Sequence, residues 1–425
     1  MNDLLLKSVK IIDKNSPFHL QIKNVTLKNG VITAITESNK SAEASQVIHQ
    51  EGACLSVGWF DMRAVAPAMG LEYKEDIDSA CEAAMRGGFT EIAVLPVSQP
   101  VIQTKEAIHF ILRHSETRLC SLYPIAAASM DTKGEEMTEM LDLHTAGALA
   151  FSDGLTPTTN TSLIIKVLQY LGQFDGLFIN MPDEKNLSKQ GMMHEGLSST
   201  LLGMKGLPSL AEEMGIIRDL KLLGYVGGKI HFSGISCAES VQLIREAKQK
   251  GLPVTADIAA HQLAFTDEDL KDFDTNLKVK PPFRTHKDIE ALIDGLLDNT
   301  IDAIVSDHQP QDEESKCLEF DLADFGIIGL ETAFAVANTF SKNMPIEKLI
   351  EKITTNPRQI LKVHQPQIAV GELANLTLFS PSQLWEYKAK DICSKSKNSP
   401  FIGSTLKGRV LSVFNKGKTK EFPLL

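Results

Sequence analysis

The stretch from Lys74 to Val97, "KEDIDSACEAAMRGGFTEIAVLPV", decides the fold. Its first part, "KEDIDSACEAAMRGG", has a helical pattern, and "TEIAVLPV" after it is a short apolar strand. The same pairing of strand and helix recurs downstream. "ALAFSDG" precedes "NTSLIIKVLQYLGQ", and "GLFINMP", "GGKIHFSGIS", "LPVTADIAA" and "IDAIVSDHQP" each stand beside a helix-like segment. Upstream, "ACLSVGWFDM" is another buried strand, running into the loop "RAVAPAMG". Strand and helix units repeated over about 300 residues predict a parallel sheet closed into a (β/α)₈ TIM barrel, which takes about 250 residues. An open doubly wound sheet fits less well, because no Gly-x-Gly-x-x-Gly follows the first strands. "GYVGGKI" lacks phosphate-loop spacing, and "HEGLS" at His194 fails the His-Glu-x-x-His zinc pattern.

The two ends of the chain read differently. Residues 1–55 alternate short β-rich runs with turns, "KNG" at Lys28 to Gly30 being a tight hairpin signal. Residues 366–425 repeat the style, with "NKG" as a second hairpin turn. The expected organisation is a barrel over 56–365, flanked by a discontinuous β-sandwich built from 1–55 and 366–425.

The 425 residues are 43% hydrophobic and 23% charged, as in a globular chain, and the formal net charge of -11 comes without any basic run. Neither nucleic acid nor an anionic membrane is expected as a partner. The N-terminus has Asp3 and Lys7 breaking its apolar stretches, so no secretory signal or membrane span is read there, and a cytoplasmic protein is expected. Six scattered cysteines without Cys-x-x-Cys spacing read as buried or incidental thiols.

The segments "GWFDM", "EYKEDIDSACEAAMRGGFTEIAVLP", "AFSDG", "GMMHEGLSS", "NLKVKPPFRT", "TIDAIVSDHQP" and the final "SKSKNSPFIGSTLKGRVLSVFNKGK" resemble, in order, the dihydroorotase family of cyclic amidohydrolases. The resemblance implies an amidohydrolase-type barrel whose ancestor opened or closed a dihydropyrimidine ring at zinc. Such chemistry needs a metal that lowers the pKa of its bound water to about 7, held by roughly three protein ligands.

Carried over residue by residue, the family's paired histidines fall on Arg63 and Val65, and its substrate-gripping arginine and asparagine on Pro67 and Val97. Two further histidines fall on Asn180 and Gly234. Asp153 is kept, with Gly154 replacing a second aspartate. Asp307 occupies the catalytic aspartate's place, His308 that of a substrate contact, and Gln311 that of a later histidine. Asn276 and "KPPFR", Lys280 to Arg284, lie in a loop that the family places near substrate.

On this reading the retained carboxylates Asp153 and Asp307 make a poor zinc site. The expectation is a catalytically inactive scaffold for aspartate carbamoyltransferase, forming a homodimer and needing no cofactor. The alternative is an active dihydroorotase-like enzyme on a cyclic amide, with Asp307 as acid–base group in a rearranged site and zinc as its metal. A pocket that senses a pyrimidine precursor lies between the two. Bland roles are expected for single residues. Asp153 caps the following helix, His231 is a satisfied core histidine, Arg284 is a surface or interface charge, and Asp307 and His308 point to opposite sides.

Overall fold

Helix Ile77–Arg86 starts where Asp76 accepts the Ser79 N–H at 2.9 Å while Ser79 Oγ accepts the Asp76 N–H at 3.2 Å. It buries Ile77, Ala80, Cys81 and Ala84 and hands over to strand Phe89–Val94, which pairs in parallel with Trp59–Ala64 on one side and Ser121–Pro124 on the other. The computed structural model of the protein describes residues 3–38, 44–67, 69–342 and 344–422.

Phe178–Asn180, Ile230–Phe232, Val254–Ala259 and Ala303–Val305 form a second run of parallel strands. Phe151 joins the two runs by bridging Ala126 on one side and Phe178 on the other. The ring closes where the Val65 N–H donates to the His308 carbonyl at 2.9 Å. Among the described residues this gives eight parallel positions with helices outside, the (β/α)₈ barrel. Every residue of Trp59–Ala64 and Phe89–Val94 is buried, as in a sheet covered on both faces. Phe60, Met62, Ala93, Ile179 and Val305 form an apolar cluster linking strands of both runs, so this barrel is packed rather than porous.

Strands from both chain ends make one eight-stranded mixed sheet. Its order is Lys418–Glu421, Thr405–Asn415, Leu376–Glu386, Cys54–Val57, Leu4–Ile12, Ile22–Lys28 and Val31–Glu37, with Gln46–His49 also paired to Leu4–Ile12. Both hairpin signals form turns with two left-handed residues, Asn29 and Gly30 in one, Lys416 and Gly417 in the other. The sheet runs into the barrel through Gly58, where a β-carbon would stand 2.0 Å from Asn375 Oδ1 and 2.1 Å from Thr90 Oγ1. No helix among the described residues is long and apolar enough to cross a membrane.

Candidate active site

Barrel enzymes work at the C-terminal ends of the strands, and there this chain places a buried cation. Arg63, on the first strand, reaches across the mouth. Its Nε donates to Asp307 Oδ1 at 2.6 Å and its Nη1 to Ser233 Oγ at 2.9 Å, while Nη2 faces Met181 Sδ at 3.8 Å. One side chain thereby ties the ends of four strands. Burial works against its charge, but Asp307, Asp257 and Asp61 outweigh burial and keep the guanidinium protonated.

Asp307 is held in the left-handed region at φ 45°, an uncommon backbone for a non-glycine residue, and its Oδ1 also accepts Gln309 Nε2 at 2.8 Å. His308 turns the other way. Its Nδ1 accepts the Gly329 N–H at 3.2 Å, and its Nε2 meets the buried Glu75 at 3.3 Å. Glu75 also bonds Ser79 and Ser394 and accepts the Lys395 N–H at 3.1 Å. Burial pushes Glu75 up, yet His308 and the two hydroxyls outweigh it and hold the carboxyl below its ordinary range.

The other carried-over positions are spent on the fold. Val65 packs with Phe60 and Met62. Asn180 donates to Asp219 at 2.7 Å and accepts the Thr158 N–H at 3.1 Å, fastening a helix and a loop. Gly234 sits at φ 73° and donates to Asp257 Oδ1 at 2.6 Å; a β-carbon on it would lie 3.9 Å from the Arg63 guanidinium carbon. Asn276 lies on the rim, lining with Gln311 and Lys316 an open groove of about 490 Å³. His231 is a satisfied core histidine, bonded to Thr255 Oγ1 at 2.7 Å and Asp257 Oδ2 at 2.8 Å.

Two single-residue expectations are corrected. Asp153 does not cap the following helix, a role that Asn160 takes. It accepts the Ser129 N–H and hydroxyl and the Thr158 hydroxyl, each at 2.8 Å, and so ties two loops. Arg284 is buried rather than a surface charge. It donates to Leu207 O at 2.7 Å and Ser236 Oγ at 3.0 Å, beside Glu212 at 3.5 Å.

Asp257 and His261, on and just after the seventh strand, escaped the sequence reading. The one available signal was an aspartate inside the otherwise apolar run "VTADIAA". His261 is fully buried with both ring nitrogens unpartnered, and burial pushes it down to about 4.

The donor set does not fit a catalytic zinc. Among the described residues no three His, Cys, Asp or Glu side chains converge on one point. A dication beside Arg63 would meet a fixed positive charge whose carboxylate partner is already bound. Beside Gly234, bounded by Met181, Asp183 and Lys280, the mouth leaves a cavity of about 20 Å³, room for about one water.

Barrel and flanking sheet together define the architecture of the cyclic amidohydrolases. The L-hydantoinase (dihydropyrimidinase) of Arthrobacter aurescens superposes with a TM-score of 0.86 at 21% identity, covering 100% of this chain and 98% of that one. D-Hydantoinase (dihydropyrimidinase) from Thermus sp. gives 0.79 at 19% identity, covering 98% and 94%. Within that class, residues 54–240 match the family described as dihydro-orotase-like. The dihydroorotase of Syntrophus aciditrophicus is 38% identical over 419 residues, 98% of either chain. That of Ruminiclostridium cellulolyticum is 37% identical over 411 residues, 96% of this chain and 95% of the relative. The chain belongs to the dihydroorotase family. This membership corrects the expectation that no cofactor is involved, because the relatives are named for the activity that the sequence resemblance places at zinc.

Proposed function

We propose that this chain serves pyrimidine biosynthesis as a dihydroorotase-family subunit that does not itself turn over the dihydropyrimidine ring, and that it assembles with aspartate carbamoyltransferase. The observation behind this reading is the buried Arg63–Asp307 pair at 2.6 Å. It puts a fixed guanidinium where ring opening requires an activated water, and it occupies Asp307, the carboxylate at the position the resemblance gives to proton transfer. The partner follows from kinship: inactive relatives of this family are assembly subunits of that transferase.

The relatives favour a second reading. Identity of 37–38% along nearly the whole chain to proteins named dihydroorotase supports an active cyclic amidohydrolase interconverting carbamoyl aspartate and dihydroorotate, or acting on a related cyclic amide. In that case Arg63 must leave Asp307 before the carboxylate can act.

One experiment separates the two. Dihydroorotase turnover is measured on the purified chain with and without added zinc, and the chain is used to capture carbamoyltransferase from its host. The first reading expects no turnover in either condition and a stoichiometric complex. Turnover that Asp307→Ala abolishes would overturn it and establish the second.

A further inference from the structure

Helix Ile77–Arg86 and the turn before strand Ser121–Pro124 bring two thiols together in the barrel wall. Cys81, on the helix, is 3% exposed, and Cys120, just before the strand, is 0% exposed. The two are hydrogen-bonded to each other. Cys81 lines a surface groove of about 420 Å³, whose sides carry Asp78 and Glu82 from the helix, Arg118 from the turn, and Lys418 and Lys420 from strand Lys418–Glu421. Cys120 lies behind it, closed off from solvent. A groove of that volume is in the range of small-molecule sites.

Charge around the pair favours a thiolate and an anionic visitor. Lys416 Nζ, anchored on Ser115 O at 2.7 Å, stands beside both sulfurs, where the opposing negative charge is Glu91. At the rim Arg118 pairs with Asp78 and Lys420 with Glu82, while Lys418 bonds the Thr117 carbonyl. Among the described residues neither Lys416 nor Lys418 has a carboxylate at ion-pair distance, so the groove and its floor hold surplus positive charge. A cation beside a thiol favours its ionised, nucleophilic form. Cys120 keeps its proton, because its bond to Cys81 and its burial both push that thiol up. The attacking sulfur is accordingly the one that lines the groove.

We propose that Cys81 and Cys120 form a redox modification site, in which Cys81 reacts with an anionic low-molecular-weight disulfide in the groove and Cys120 resolves the adduct. Cys81 loses its proton to solvent, and its sulfur attacks one sulfur of the incoming disulfide. That S–S bond breaks, a thiolate leaves and takes up a proton, and Cys81 carries a mixed disulfide. Cys120 then gives up its proton and attacks the Cys81 sulfur, expelling the second thiolate. The chain has lost a pair of electrons and two protons, and the reagent has become two thiols. The new bond ties the helix that carries Ser79, a partner of Glu75, to the barrel wall.

The test exposes the folded full chain to oxidised glutathione and maps its peptides without reduction. A Cys81–Cys120 cross-link is expected, reversed by dithiothreitol. Cys120→Ser should stop at glutathione bound to Cys81, and Cys81→Ser should leave Cys120 unmodified. Circular dichroism checks that both variants fold. Lys416→Met, which keeps both thiols, should slow cross-linking at least fivefold at pH 7 and less at pH 9, a pH dependence that looser packing alone would not give. Modification confined to the more exposed Cys317 and Cys393, a mixed disulfide on Cys81 that persists in the wild type, or a cross-link that forms only in urea would each overturn the proposal.

Discussion

Arg63 and Asp307 stand 244 positions apart in sequence and 2.6 Å apart in space, both buried, closing the first strand of the barrel onto the last. A buried pair of this kind is a poor source of net stability, but breaking it is costly, because the remaining charge has no solvent.

Arg63→Met is therefore expected to cost about 3–5 kcal/mol in denaturant unfolding at pH 7. Adding Asp307→Asn should recover part of the loss at pH 7. A double variant no more stable than Arg63→Met would show that the pair is not what the substitution disturbs.

Two buried groups give opposing pH dependences. Burial pushes His261 down to about 4, so between that value and about 6.5 the unfolded chain binds more protons and stability rises with pH. Burial pushes Asp61 up to about 7, its bonds to Ser306 notwithstanding, so between about 4 and 7 the folded chain binds more protons and stability falls with pH. Each effect is on the order of 3–4 kcal/mol across its window. Relative to wild type, His261→Leu should tilt the stability profile toward acid and Asp61→Asn toward neutral pH. Chemical denaturation at pH 4.5, 5.5 and 6.5 reads both; parallel profiles would refute the assignment.

Gly58→Ala should destabilise by about 3 kcal/mol, since its methyl group meets Asn375 and Thr90 at the rigid joint between sheet and barrel. Thermal unfolding of the variant measures this, and a melting temperature within a degree of wild type would contradict the packing described.

Glu75→Ala should free the segment that carries Ser394 to Asn398, which Glu75 holds through Ser394 and the Lys395 N–H. Trypsin is expected to cut after Lys395 or Lys397 at least tenfold faster, with the barrel left intact. Unchanged cleavage would mean that the segment is held by other bonds, such as those from Asn398 to the carbonyls of Gln309 and Gly326.

The barrel is legible in the sequence because each strand and helix unit carries its own apolar run, and "KNG" and "NKG" carry their own turn chemistry. The site is legible only as positions. Arg63 can be seen to be no metal ligand, but its partners lie on strands far along the chain, and no local pattern names them. Arg284 looks like a surface charge until its loop folds against Leu207, Ser236 and Glu212. Asp153 precedes a helix as a cap would, yet Asn160 stands closer to the helix start. His261 has no partner to betray it, and its environment exists only after the barrel closes.

The sheet that joins both chain ends has a consequence for synthesis. Cys54–Val57 pairs with Leu376–Phe379, which leaves the ribosome more than 300 residues later. At about 5–20 residues per second, the early strand waits for tens of seconds with one edge of hydrogen-bonding groups open. During that interval the nascent chain resembles an unfinished β-ribbon, open to edge-to-edge association. Chains stalled before Leu376 are the form expected to sediment as aggregates or to be held by chaperones, while the released chain closes its own edge.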